Sequence, residues 1–241
     1  MSEKQMLKFL YGYDSFERHR ATASLVRKAL PPPASILDVG GEVSLRCNHL
    51  GRFLKGYTIT TANVERASDI SYDGEILPFD DKSFDIVVSI DTAEHVPKEK
   101  RQKWIEGFFR VAKRFVVLCA PLGTEFNKSK EFEMNEFHRK LFGYDHHYLK
   151  EHIDCGLPEV EEIRSWANGM KYSLYFEGDA RTGQNNLRTL FRLQKSAGPL
   201  KTPAKLLHQL YTLKNYEPLN LETAPNKFTR RWYLLAECNS S

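Results

Sequence analysis

The chain has 241 residues, of which 41% are hydrophobic and 27% charged, with a net charge of +4. This is an ordinary globular composition, long enough for a full core, and the mild positive balance with no clustered basic stripe argues against a nucleic-acid surface. No run approaches the roughly 18 apolar residues of a membrane span. The charged N-terminus is no signal peptide, and Cys47, Cys119, Cys155 and Cys238 form no CxxC pair, so reduced thiols and a cytoplasmic location are expected.

Asp14 is placed as the cap of a first helix, with Glu17 at the reciprocal capping-box position. Phe16, His19, Ala23, Val26 and Leu30 follow at three- and four-residue steps, one apolar face on which His19 reads as a packed core residue. Pro31-Pro32-Pro33 stops the helix. Ser35–Val39 is a buried strand entering the tight turn Gly40-Gly41, where backbone can approach a ligand with no Cβ in the way. Ser44–Leu54 is a short helix ended by Gly56, and Tyr57–Thr61 is rich in strand formers. Strand, glycine turn, helix, strand is a first βαβ unit.

Asp73–Pro97 reads DGEILPFDDKSFDIVVSIDTAEHVP. A polar turn carries Asp73 and Gly74, a buried strand runs from Phe84 to Ile90, and Asp91, Glu94 and His95 lie just past its C-terminal end. In open α/β sheets ligands bind outside the carboxyl ends of the strands. Pro97 opens a helix to Ala112, and Phe115–Ala120 is the next strand, closed by Pro121-Leu122-Gly123. Strands alternating with helices predict a parallel sheet covered on both faces.

Glu125–Tyr148 is polar and aromatic, without a firm period. Tyr148–Ile153 predicts a turn of helix, Glu159–Trp166 a strand, Asn185–Gln194 and Ala204–Leu213 amphipathic helices, and Phe228–Glu237 a last strand. Lys98–Arg101 and Arg230-Arg231 read as solvated edges. Tyr172, Tyr175 and Phe176 could stack a sugar ring, but packing is the simpler reading. His147, His152 and Cys155 lack two clean ligand pairs, so no metal site is expected. The simplest organisation is one domain over 1–241: an N-terminal helical region (1–34), a cofactor-binding half (35–123) and a substrate-side half (124–241) with a helical insertion at about 178–223.

Three segments resemble one family. ILDVGG at Ile36–Gly41 is similar to the first motif of class I S-adenosylmethionine-dependent methyltransferases. The Asp73–Pro97 stretch resembles the segment around their third and fourth strands, in the subgroup with ubiquinone-type and sugar methyltransferases, and Arg110–Gly123 fits the following helix end and fifth strand. The resemblance implies a Rossmann-like, doubly wound, mostly parallel seven-stranded sheet with an antiparallel last strand and a helical insertion before it. It implies S-adenosylmethionine as cofactor, with Asp38, Gly40, Gly41 and Ser89 at the methionine end, Asn63 and Glu65 where an acid usually holds the ribose, and Asp73 with Gly74 at the adenine. Asn63 departs from the usual acid, and Glu42-Val43-Ser44 replaces the usual third glycine.

His95 is the first candidate for a general base, since its ordinary pKa is about 6.5, with Asp91 beside it. Glu136–Pro158 resembles, more loosely, a segment of methyltransferases found with glycan-building enzymes. The expected function is methyl transfer to a small molecule or glycan precursor, O-methylation of a sugar first. The alternatives are a cofactor-binding but inactive scaffold subunit and, behind it, an RNA methyltransferase.

Overall fold

The structure is a computed structural model and describes residues 12–42, 50–64, 68–196, 201–212 and 218–238. Helix α1 is Tyr13–Ala29, followed by β1 Ser35–Val39, β2 Thr58–Asn63, the two-residue β3 Ile70–Ser71, β4 Phe84–Ile90, α2 Lys98–Val111 and β5 Ala112–Pro121. Then come α3 Glu125–Phe142, α4 His147–Cys155, α5 Val160–Trp166, β6 Lys171–Asp179, α6 Ala180–Ser196, α7 Lys201–Thr212 and β7 Thr229–Glu237. The seven strands form one sheet in the order β3-β2-β1-β4-β5-β7-β6. β7 runs antiparallel to both neighbours, and every other pairing is parallel.

The strands at the centre are apolar because both of their faces are covered. In β1, Leu37 and Val39 point into a core with Trp104, Ile105 and Phe108 of α2, while Ile36 points into a second core with Leu25 and Val26 of α1. β1 lies between β2 and β4, with Leu37 in register with both Thr60 and Val87. Chain order reverses there, which opens a crevice at the carboxyl ends of β1 and β4.

Several local expectations are corrected. Asp14 does not cap α1: Gly12 precedes the helix and makes no side-chain cap bond, and Asp14 lies in the first turn, facing arginines. The described part of Ser44–Leu54 is a short 3-10 turn, Leu50–Arg52, and residues 43–49 lie outside the described segments. Glu159–Trp166 is a helix, not a strand. Its alternating polar pattern is deceptive, because Ile163 and Trp166 are three apart and bury together on the sheet. Lys171–Asp179, which carries the three aromatics, is instead the strand β6 at the sheet edge. Phe176 packs in the core, and Tyr175 takes a hydrogen bond from Lys28 on the outside. The unpatterned stretch after Gly123 is the long helix α3, capped by the Thr124 hydroxyl, which accepts from Asn127 N–H, and ended by Gly143 at φ +89°.

The basic pieces are solvated edges only in part: Lys98, Glu99 and Lys100 are exposed, but Arg101 and Arg231 are buried. Arg101 is 1% exposed and donates to Glu162 and to the carbonyls of Val96, Cys155 and Gly156, tying α2 to the end of α4 and to α5. Arg231 is 4% exposed and inside an ion-pair cluster. Before β7, α6 and α7 form a helical pair. Phe191 of α6 packs with Met134 of α3 and Leu149 of α4. No helix among the described residues is long and apolar enough to cross a membrane.

Candidate active site

The crevice is a cavity of about 840 Å³, lined at the end of β1 and β2 by Asp38, Gly40, Gly41 and Asn63 and past the end of β4 by Asp91, Glu94 and His95, with His152 of α4. Residues of α1, α3, α4, α6 and α7 complete its walls.

The glycine turn is built by the strand ends. Gly40 has φ +84°, and its N–H donates to the Ala62 carbonyl at 2.7 Å. A Cβ on Gly40 would overlap the Thr92 hydroxyl, and one on Gly41 would run into the Asp38 carboxylate. Both positions therefore need glycine for the turn itself. Asp38 is 3% exposed, and burial pushes its carboxyl up to about 7. A buried acid at a cavity wall, with no cation opposite it among the described residues, suits a positively charged ligand group.

Asn63, the last residue of β2, turns its amide inward and donates to the carbonyls of Gly40 and Gly41 at 3.0 and 3.4 Å. It lines the cavity, yet that amide fastens the turn. Ser89 is buried and donates its hydroxyl to the Val39 carbonyl at 2.8 Å, bracing β4 against β1, and it does not line the cavity. Asp73 closes its own turn by accepting from the N–H groups of Glu75 and Ile76, which holds its carboxyl below the usual range. Neither Asp73 nor Gly74 lines the cavity, and the Val64 side chain lies over Gly74. Glu65 lies outside the described residues. The structure thus brings Asp38, Gly40, Gly41 and Asn63 together and leaves Asp73, Gly74 and Ser89 out of the cavity wall.

On the neighbouring strand, Asp91 follows β4 with φ +51° and donates its N–H to the Cys119 carbonyl. One carboxylate oxygen accepts from Arg18 at 2.5 Å and the other from Arg231. Burial alone would raise the Asp91 carboxyl, but the two guanidiniums outweigh it and hold it low. Asp14 joins the same cluster through Arg18, Arg230 and Arg231. A carboxylate held by two guanidiniums is a weak proton acceptor, so Asp91 is placed to hold charge and position.

His95 sits in the 3-10 turn Ala93–His95, against which α4 packs. Its Nδ1 lies 2.7 Å from Glu151 Oε2 and its Nε2 lies 3.4 Å from His152 Nε2. His152 Nδ1 in turn lies 3.1 Å from Glu131. Burial, with His152 adding to it, lowers the pKa of His95 despite Glu151. Neither ring nitrogen of His95 is left open toward the cavity. The three residues weighed for zinc do not converge: His147 is exposed and pairs with Glu151, while the Cys155 thiol donates to the His95 carbonyl. His152 meets His95 and Glu94 instead, a grouping that sequence spacing could not reveal because 57 residues separate the two histidines.

Residues 37–119 match the family model described as a methyltransferase domain. No curated protein matches the chain. Among solved structures, the chain is similar to a protein from Galdieria sulphuraria described as a sarcosine dimethylglycine methyltransferase, with 16% identity, a TM-score of 0.55 and coverage of 93% of this chain and 85% of that one. It is similar to phosphoethanolamine N-methyltransferase 2 of Haemonchus contortus bound to S-adenosyl-L-methionine, with 13% identity, a TM-score of 0.54 and coverage of 92% and 52%. A third is geranyl diphosphate C-methyltransferase of Streptomyces coelicolor, with 10% identity, a TM-score of 0.51 and coverage of 91% and 76%. At these identities the likeness speaks for the fold.

Proposed function

We propose that the chain, whose residues 37–119 match the family model of a methyltransferase domain, is a class I S-adenosylmethionine-dependent methyltransferase that methylates a small molecule, and that the acceptor is a sugar or glycan precursor methylated on oxygen. The observation that carries this reading is a single cavity joining the Asp38–Gly41 turn to the end of β4. Its volume suits a cofactor together with a small acceptor. S-adenosylmethionine supplies an electrophilic methyl carbon on a sulfonium, so the protein's work is to position, desolvate and manage one proton.

In this reading Asp38 receives the cationic methionine end, and the glycine turn gives the close backbone approach. The ribose falls to Asn63 with Glu65, and the adenine to Asp73 and Gly74 once the Val64 segment moves aside. Asp91 holds Arg18 and Arg231 at the floor, and His95 stands beside the acceptor. Glu131, His146, Gln184, Asn186 and Gln209 give the acceptor side a hydrogen-bonding character that suits a polyhydroxylated compound, and Tyr148 adds an aromatic face. The helical pair α6–α7 selects the acceptor, on the principle that insertions near strand ends carry specificity. The same reading treats 1–241 as one domain in a reducing, cytoplasmic setting, where the free thiols of Cys119, Cys155 and Cys238 persist.

One observation favours a second reading, a cofactor-binding but inactive scaffold subunit: the Asn63 amide is committed to the turn carbonyls. The arginines of the cavity are matched by Asp14 and Asp91, which disfavours an RNA acceptor. Calorimetric titration with S-adenosylmethionine and its demethylated product, on wild type and Asp73→Ala, separates the readings. Binding of both, weakened in the variant, followed by turnover with sugar acceptors, supports the enzyme. Binding without turnover across acceptor mixtures supports the scaffold, and no binding by the folded protein removes both.

A further inference from the structure

Three ligand-type atoms converge at the cavity wall. Glu94, His95 and His152 each present one such atom, all within 4.8 Å of one another. Glu94 is 1% exposed, and its Oε2 has no hydrogen-bond partner among the described residues. The two histidines meet through Nε2 at 3.4 Å.

The outer contacts fix the ring protons. An ionised carboxylate only accepts hydrogen bonds. Glu151 therefore holds a proton on His95 Nδ1 and Glu131 one on His152 Nδ1. With both rings neutral, that leaves the two Nε2 atoms as lone pairs facing each other, with the orphaned Glu94 oxygen beside them. A divalent cation between them would satisfy both lone pairs and the buried carboxyl group at once. A histidine that donates its far N–H to a carboxylate is the usual metal-ligand arrangement, and here it occurs twice. The size also fits: zinc–nitrogen bonds of about 2.0–2.1 Å in a tetrahedron put two ligand nitrogens about 3.3–3.4 Å apart.

We propose that Glu94, His95 and His152 form a binding site for one divalent metal ion of the zinc type, with Glu151 and Glu131 orienting the two histidines. Two imidazoles and one carboxylate favour zinc and its transition-metal neighbours over magnesium or calcium. Because all three residues line the cavity, the remaining coordination positions are available to an acceptor oxygen, which a Lewis acid would hold and make more acidic. The site then takes over the work first assigned to His95 as a base. Its existence does not depend on methyl transfer; only its use rests on that reading.

The test uses the full chain, stripped with chelator and freed of it, without cofactor. Zn2+ alone is titrated calorimetrically, and Co2+ is followed by its visible absorption. One equivalent should bind. Glu94→Gln and His152→Gln should each weaken binding at least 100-fold, Glu131→Gln should weaken it about 10–100-fold through the histidine it orients, and Cys238→Ser should leave it unchanged. No stoichiometric uptake by the folded wild type overturns the proposal, as does affinity that survives Glu94→Gln. Glu94→Gln keeps the side-chain volume, so it decides the matter if His152→Gln does not fold, which thermal unfolding of the metal-free variants reports. Binding of S-adenosylmethionine without binding of Zn2+ would remove this site and leave the methyltransferase reading standing.

Discussion

Two buried acids that line the cavity are tuned in opposite directions. Asp38 is pushed up to about 7 by burial. Its folded pKa lies above the ordinary aspartate value, so the cost of ionising it in the folded state accrues as pH rises from about 4 to about 7. A shift of that size is worth at most about 4 kcal/mol. The stability difference between Asp38→Asn and wild type, from urea unfolding without ligand, should therefore grow in favour of the variant across that window. Affinity for S-adenosylmethionine should rise through pH 7 in wild type as the acid ionises, and stay flat in Asp38→Asn. Asp91 is the opposite case. Its folded pKa is depressed, so the stability it contributes is fully present above about pH 4 and is lost as pH falls below that. Asp91→Asn leaves Arg231, 4% exposed, with a weakened partner. Removing one member of a buried ion pair costs about 3–5 kcal/mol. Urea unfolding at pH 7 should show a loss of that order and a shallower response to acid.

Among the elements, the glycine turn is the most exacting. Gly40→Ala adds backbone strain at φ +84° and a clash with Thr92. It should abolish measurable binding of S-adenosylmethionine, and Thr92→Ala in the same chain should recover only part of it, because the strain remains. Legibility from sequence also differs by element. β1, β2 and β4 announce themselves as apolar runs because both of their faces are buried, and α2 shows its face through Trp104, Ile105 and Phe108. The edge strand β6 is paired along its length with β7 and touches only a one-residue bridge at Glu222 on its other side among the described residues, and it mixes exposed with buried residues, so its pattern is diluted. The seven-residue helix α5 is too short for its period to stand out against Val160-Glu161-Glu162-Ile163. In the site, the turn glycines and Asp38 were legible because they are local to one strand end. The link between His95 and His152 and the burial of Arg101 and Arg231 arise only when α4, α5 and β7 come to the same end of the sheet.

Over the whole molecule, the sheet with α1 and α2 makes two broad cores, while α3, α4 and α6 share a smaller one around Phe191. Stability should divide accordingly. Emptying a buried phenylalanine site costs about 3–5 kcal/mol, and in a small outlying core that loss falls on local opening rather than on global unfolding. Phe191→Ala should speed amide exchange in α6 and the end of α3 while the amides of β1, β4 and β5 keep their protection. If the helical pair selects the acceptor, the same variant should raise KM for the acceptor more than it weakens binding of S-adenosylmethionine.

The commitment of Asn63 constrains how this chain can change. Replacing it with aspartate looks, on paper, like restoring the acid that holds the ribose in the resembled family. Here the replacement would aim a carboxylate at the carbonyls of Gly40 and Gly41 and exchange two donated hydrogen bonds for repulsion. The reversion should lower affinity for S-adenosylmethionine. To a lineage or an engineer, the ancestral-looking residue is reachable only after the turn has found another support, so the order of the steps decides whether the path exists.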